Sequence, residues 1–185
     1  MAGFVAEYGA IILKAVGETL VMVVLSTGFG YLLGIPLGVV AYITDHGSIS
    51  ENRVVNTVVG WVINIVRSIP FIILILFLIP YTRFVMGTAS GTRGVIFPLV
   101  IGSTPFIARM VESSFNELDS GVIESAKAMG ATNLQIIWKV LLPESFPSLL
   151  RGMAIATITI IGYIAMAGMV GGGGLGAVAI NYGYY

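Results

Sequence analysis

Residues 19–44 read TLVMVVLSTGFGYLLGIPLGVVAYIT, a stretch without one charged side chain between Glu18 and Asp45. A helix needs about 20 mostly apolar residues to cross the hydrocarbon core, and this stretch exceeds that. The pattern recurs along the chain. Residues 54–82 carry only Arg67, residues 94–111 carry only Arg109, and no charge follows Arg151. Four spans are predicted, near 17–43, 56–81, 94–113 and 149–170. Runs this continuously apolar fit helices and not the alternating strands of a closed barrel. The fold class is therefore all-α and integral to the membrane: a helical bundle of four visible spans, forming a single domain over 1–185.

Composition agrees. Of 185 residues, 57% are apolar and 10% charged, with a mean hydropathy of +0.98. Soluble domains average about 25% charged, so a soluble globular enzyme and a disordered tail are excluded. Nine basic and nine acidic side chains cancel, leaving no basic field for nucleic acid. The lack of cysteine excludes disulfides, Cys-based zinc sites and a Cys nucleophile, and a single histidine, His46, excludes a multi-histidine metal site. Glu7 and the lack of an early basic cluster argue against a cleavable signal peptide.

Basic residues outside the spans set orientation. Lys14, Arg83 and Arg93 fall on one side; Arg53, Arg109, Lys127, Lys139 and Arg151 fall on the other. The heavier side places the long loop after span three in the cytoplasm and the N-terminus outside. Gly30, Gly34 and Gly38 form a ridge of small residues in span one that lets another helix approach closely. Pro36, Pro70, Pro98 and Pro105 predict kinks.

Residues 117–148 are polar enough to leave the membrane. Asp119 or Ser120 can cap a helix over 121–129 that ends at Gly130. Thr132 and Gln135 read as a capping box opening a second helix. Pro143 is expected to stop that helix, and Ser145 to cap the next one, with Pro147 in its first turn. Leu134, Ile137, Trp138 and Leu141 recur at helical spacing. Physics alone leaves two readings open: a hairpin lying on lipid, or a hairpin that docks on a partner.

The residues of this loop resemble those of a known family. Glu124-Ser125-Ala126, then Gly130, then Val140-Leu141-Leu142-Pro143 are similar to the EAA loop of binding-protein-dependent ABC importer permeases. The family pattern is Glu-Ala-Ala, three residues, Gly, nine residues, Ile-x-Leu-Pro. The spacing is kept, with Ser125 and Val140 as small departures. Residues 64–73 (NIVRSIPFII), 105–112 (PFIARMVE), 126–132 (AKAMGAT) and 173–176 (GGLG) resemble the methionine importer permeases within that family.

The resemblance implies a permease of an ATP-driven importer for an amino acid, methionine (D or L) in the first place. It implies a bacterial inner-membrane protein that pairs with a second copy of itself, two cytoplasmic ATPase subunits and an extracytoplasmic methionine-binding lipoprotein. ATP and Mg would sit on the ATPase, with no cofactor on this chain and no catalysis by it. Residues 117–148 would be the cytoplasmic coupling loop. Glu124, Ser125, Ala126, Gly130, Leu142 and Pro143 would form its contact with the ATPase, with Glu124 as charged anchor, Ala126 in close contact and Gly130 as the turn. The family has a fifth span, so the chain is expected to be a piece of a longer one. The alternatives are a permease for another small amino acid, or a membrane scaffold or carrier working without an ATPase.

Remaining motifs support a non-hydrolytic chain. No Gly-x4-Gly-Lys-Ser/Thr loop occurs. Gly171-x-Gly173-x-x-Gly176 matches the dinucleotide pattern, but it follows a span and not a strand, so it reads as an irregular outer turn. No Asp, Glu or Lys lies deep in a span, which disfavours a proton-coupled carrier. Arg67 is the exception in span two. An Arg at a helix centre costs about 2.5–3.5 kcal/mol on insertion scales, so it should face a partner: a helix C-terminus, Glu112, or a substrate carboxylate. Ser68, Ser103 and Tyr163 are candidate path residues, beside Asn64, Thr104, Thr157 and Thr159, and Met166 with Met169 is a candidate gate. Arg109, near a span end, is expected either to snorkel or to pair with Glu112 three residues on.

Overall fold

A computed structural model describes residues 2–184, with side chains described for 8–183; the Glu7 side chain and Tyr185 lie outside the described residues. The described residues hold helices and no strand. α1 runs over Ala2–Ile43, α2 over Arg53–Ser68, α3 over Phe71–Met86 and α4 over Gly91–Asn116. The short helices α5 (Ser120–Ala128), α6 (Asn133–Ile136) and α7 (Leu142–Glu144) precede α8 (Phe146–Ala167) and α9 (Gly174–Val178).

Spans three and four agree with α4 and α8. The first begins earlier than expected: α1 holds apolar character from Tyr8 to Ile43. The second differs. The predicted helix 56–81 is broken at Ile69-Pro70 into α2 and α3, so three helices are long and apolar enough to cross alone, and α2 and α3 reach that length only when taken together as one bent span. Pro70 takes φ −54 and ψ 134 at the start of α3. Proline lacks an amide hydrogen and drives the residue before it out of the helical region. The kink expected at Pro70 is thus a full break, with the two helices bent by 107°.

Two compact units are seen within the chain, to each of which α1, α4 and α8 contribute. One comprises Met1–Gly30, Ile69–Ser103 and Thr157–Tyr185. Its core includes Met22, Phe71, Leu74, Val95, Leu99, Ile160 and Ile164. Gly102 lies where a Cβ would meet the Phe71 ring at 3.2 Å.

The other comprises Tyr31–Ser68 and Thr104–Ala156. Ile107, Val111 and Phe115 of α4 are buried with Ile123, Ala126, Ile136, Leu141 and Ala156. Two members of the small-residue ridge, Gly34 and Gly38, pack here. A Cβ at Gly34 would fall 2.6 Å from Ile107 Cγ2, and one at Gly38 would fall 2.5 Å from the Ala108 carbonyl oxygen. α1 therefore lies directly on the α4 backbone, as the ridge predicts. Asn56 Nδ2 donates to the Ala41 carbonyl at 2.9 Å and ties α2 to α1.

Candidate functional site

The 117–148 loop forms by local chemistry. Asp119 Oδ1 accepts from the Gly121 amide at 2.7 Å and starts α5. Its end is closed by the Met129 amide on Ser125 O at 3.1 Å and the Ala131 amide on Ala126 O at 3.1 Å. That reversal needs φ +79 at Gly130, in the left-handed region open to glycine. The capping box then opens α6: Thr132 Oγ1 accepts from the Gln135 amide at 3.3 Å, and Gln135 Oε1 accepts from the Thr132 amide at 2.9 Å.

Two expectations fail beyond α6. Pro143 does not stop the helix. The chain runs on through a wide π turn, Ile137–Leu141, into α7, with the Leu142 amide donating to Ile137 O. The wider turn moves carbonyls away from where the proline ring would strike them. Ser145 does not cap α8. Its hydroxyl donates backwards to the Leu141 carbonyl at 2.6 Å. The loop's two ends are joined instead by Glu117, whose Oε2 accepts from Ser148 Oγ at 2.7 Å and lies 3.4 Å from Arg151 Nη2.

Burial divides the loop into two faces. Ile123, Ala126, Ile136 and Leu141 turn into the unit's own core. Ala126 was expected on the outward face, and the structure places it inward; its small side chain lets α5 sit close to that core. Glu124, Ser125, Lys127 and Met129 are exposed, as are Leu134, Trp138 and Pro143, while Leu142 is half-buried. Met129 is 82% exposed. The predicted apolar face of the second helix thus splits, with Leu134 and Trp138 outward. Around Gly130 nothing lies within 4 Å of an added Cβ. The outward face is mixed in charge, apolar in part and free of crowding beside its turn.

The same unit holds a polar cluster. Arg109 Nη1 donates to both Glu112 carboxylate oxygens at 2.8 Å, and Nη2 donates to Asn64 Oδ1 at 3.0 Å. This links α4 to α2. Arg67 was expected near a helix end, Glu112 or a substrate, and it lies in the last turn of α2. Its guanidinium carbon lies 6.0 Å from the centre of the Phe106 ring, a cation–π distance. Ser68 is exposed beside it and donates to Ile65 O at 2.8 Å.

The other path candidates belong to the first unit. Ser103 is buried and donates to Val100 O at 3.2 Å. Tyr163 stacks on Phe71, centroids 4.4 Å apart and planes 6° from parallel. Met166 and Met169 are exposed.

Sequence reasoning missed Glu18 and Thr19. They meet the glycine-rich turn through the Gly174 and Leu175 amides, 156 residues away. The available signals were a carboxylate at the edge of a span and glycines after another span, and local rules do not pair them. It also missed Ser26, Thr27 and Thr82 as buried hydroxyls; none has a hydrogen-bond partner among the described residues.

Comparison with known proteins decides the family. Residues 34–184 match the binding-protein-dependent transport system inner membrane component family. The chain belongs to this family. As an inner membrane component of such a system it is a multi-pass membrane protein, in agreement with its helices. It is 48% identical over 175 residues to the probable D-methionine transport system permease protein MetI of Vibrio cholerae, covering 95% of this chain and 78% of that one. It is 48% identical over 158 residues to the D-methionine transport system permease protein MetI of Escherichia coli K12, covering 85% and 73%. Among solved structures, an inward-facing form of the MetNI methionine ABC transporter matches with TM-score 0.94 and 47% identity, covering 96% of this chain and 82% of that one.

Proposed function

We propose that this chain is the membrane-spanning permease subunit of an ATP-driven ABC importer for methionine. The observation that carries the reading is the match, at 47% identity and over 96% of the chain, to a subunit of a methionine ABC transporter. The curated D-methionine permeases of similar identity support the same substrate. The permease works as a homodimer in the bacterial inner membrane. Two ATPase subunits bind and hydrolyse ATP on the cytoplasmic side, and a lipoprotein delivers methionine from outside. This chain hydrolyses nothing.

In this reading 117–148 is the cytoplasmic coupling loop and α5 the coupling helix. The ATPase takes the outward face of α5: Glu124 as charged anchor, Ser125 beside it, and Gly130 at the turn. Ala126 acts from the inner side, seating α5 against α4. Leu142 and Pro143 link the π turn to α8 through α7. Closure of the ATPase dimer then moves α4 and α8 through this hinge between inward-open and outward-open states. The candidates for contact with substrate are Arg67 and Ser68 in one unit and, taken separately, Ser103, Tyr163 and Met166 in the other.

The test is an ATPase assay on the complex in nanodiscs with its binding lipoprotein. Methionine is expected to raise hydrolysis, and other small amino acids are not. Assembly with stimulation by a different amino acid would move the substrate; failure to assemble would remove the reading.

A further inference from the structure

We propose that Glu18 and Thr19 are positioning residues for transport, holding the glycine-rich turn 171–176 in a seat on α1 that opens when substrate passes the outer side. The proposal rests on the permease reading above. Glu18 Oε2 accepts from the Gly174 amide at 2.8 Å, and Thr19 Oγ1 accepts from the Leu175 amide at 3.0 Å. The other Glu18 oxygen lies 3.9 Å from Lys14 Nζ. From the opposite flank the Gly91 amide donates to the Gly171 carbonyl at 2.8 Å.

The fit is close enough to require glycine. Gly171, Gly173 and Gly174 have φ of 80, 79 and 68, values that L side chains rarely adopt. A Cβ at Gly174 would fall 2.7 Å from Thr19 Oγ1, and one at Gly173 would fall 3.1 Å from Glu18 Oε2. At Gly168 it would fall 2.3 Å from the Gly176 carbonyl carbon. The segment is thus packed closely at Gly173 and at Gly174, where α9 begins, with open space at Gly171, yet its tie to α1 is two hydrogen bonds. That combination specifies one closed position and lets it be left without unfolding any helix.

The position gives the seat its consequence. α8 carries Tyr163 and Met166 and runs through Ala167 and Gly168 directly into this turn. The Gly172 amide donates back to Ala167 O at 2.9 Å. A turn that leaves its seat therefore takes the end of α8 with it. A carboxylate accepts strongly from backbone amides, so Glu18 holds the seat where a neutral apolar side chain would leave Gly174 unpaired.

The experiment pairs two readouts on Glu18→Ala, Glu18→Gln and Thr19→Val. Hydrogen exchange at Gly174 and Leu175 is followed on the permease, and ATP hydrolysis with and without loaded binding protein is followed on the complex. Glu18→Ala is expected to speed exchange at both amides. It is also expected to raise unstimulated hydrolysis by about fivefold, the low end of ordinary coupling between sites, and so to shrink the stimulated ratio. Glu18→Gln keeps an acceptor and is expected to recover most of both. Faster exchange with an unchanged stimulated ratio would reduce the seat to a structural pin and overturn the proposal. A glutamine variant as impaired as alanine would do the same. If Glu18→Ala does not fold, Thr19→Val carries the same two readouts. If the wild-type chain does not assemble with the ATPase, the permease reading fails and the transport role of Glu18 fails with it, while exchange still decides whether the seat exists.

Discussion

Arg109 and Glu112 lie one turn apart on α4, with Arg109 Nη1 2.8 Å from both carboxylate oxygens. Glu112 is 13% exposed and Arg109 35%, so the pair is partly withdrawn from solvent. The second Arg109 nitrogen spends its donor on Asn64 and fastens α2 to α4. Removing one partner leaves the other charge half-buried and uncompensated. Glu112→Ala is expected to cost about 2 kcal/mol, and Glu112→Gln, which keeps an acceptor, less. Thermal unfolding in detergent checks the order; equal losses would show that the hydrogen bond to Arg109 does not matter.

Glycines on α1 should divide by what faces them. A Cβ at Gly38 meets the Ala108 carbonyl oxygen and Val111 Cβ, neither of which can swing away, while nothing lies within 4 Å of one at Gly28. Gly38→Ala is expected to cost about 1–3 kcal/mol through overpacking. Gly28→Ala is expected to be neutral or to gain up to about 1 kcal/mol from helix propensity. Unfolding of the two variants side by side provides the check.

Gly130 separates folding from coupling. Its φ of +79 demands a residue tolerant of the left-handed region, but the space beside it is open. Asparagine tolerates that region better than alanine does. Gly130→Asn is expected to unfold close to wild type and Gly130→Ala about 1 kcal/mol below it. Both are expected to weaken association with the ATPase, because a side chain there enters the space the partner needs. Normal association of Gly130→Asn in a pull-down would take the turn out of the interface.

The loop after α1 should respond to acid. The Gly47 amide donates to Glu51 Oε2 at 3.0 Å. That bond, with help from the nearby charge of His46 and from Arg53, holds the Glu51 carboxyl below its ordinary range. A carboxyl with a lowered folded-state pKa stabilises its surroundings above its unfolded value, and the contribution is lost as pH falls through the lowered one. The Gly47 amide resonance is expected to move with that titration and to stop moving in Glu51→Gln. An unperturbed Glu51 midpoint by carbon NMR would contradict it.

Much of this was legible in the sequence because local chemistry decides it. The capping box of Thr132 and Gln135, the cap at Asp119, the turn at Gly130 and the Arg109–Glu112 pair each involve residues within a few positions of one another. The glycine ridge was legible because its spacing follows the helix period. A bend at Pro70 was legible from the proline, but its depth, a break of one helix into two, was not, because hydropathy does not register a change in backbone direction. The π turn was missed because Pro143 reads as a stop in any α-helical register. The inward face of Ala126 and the pairing of Glu18 with Gly174 depend on tertiary packing, and no local pattern encodes them.

The central claim is ATP-driven methionine import, and uptake measures it directly. Proteoliposomes would hold this chain, its ATPase and externally added binding lipoprotein, with ATP enclosed on the ATPase side and labelled methionine outside. The account predicts methionine accumulation that needs both ATP and the binding protein and that falls in Glu124→Ala at unchanged membrane levels. Uptake that proceeds without the ATPase, or a well-folded assembled complex that moves no methionine, would contradict it.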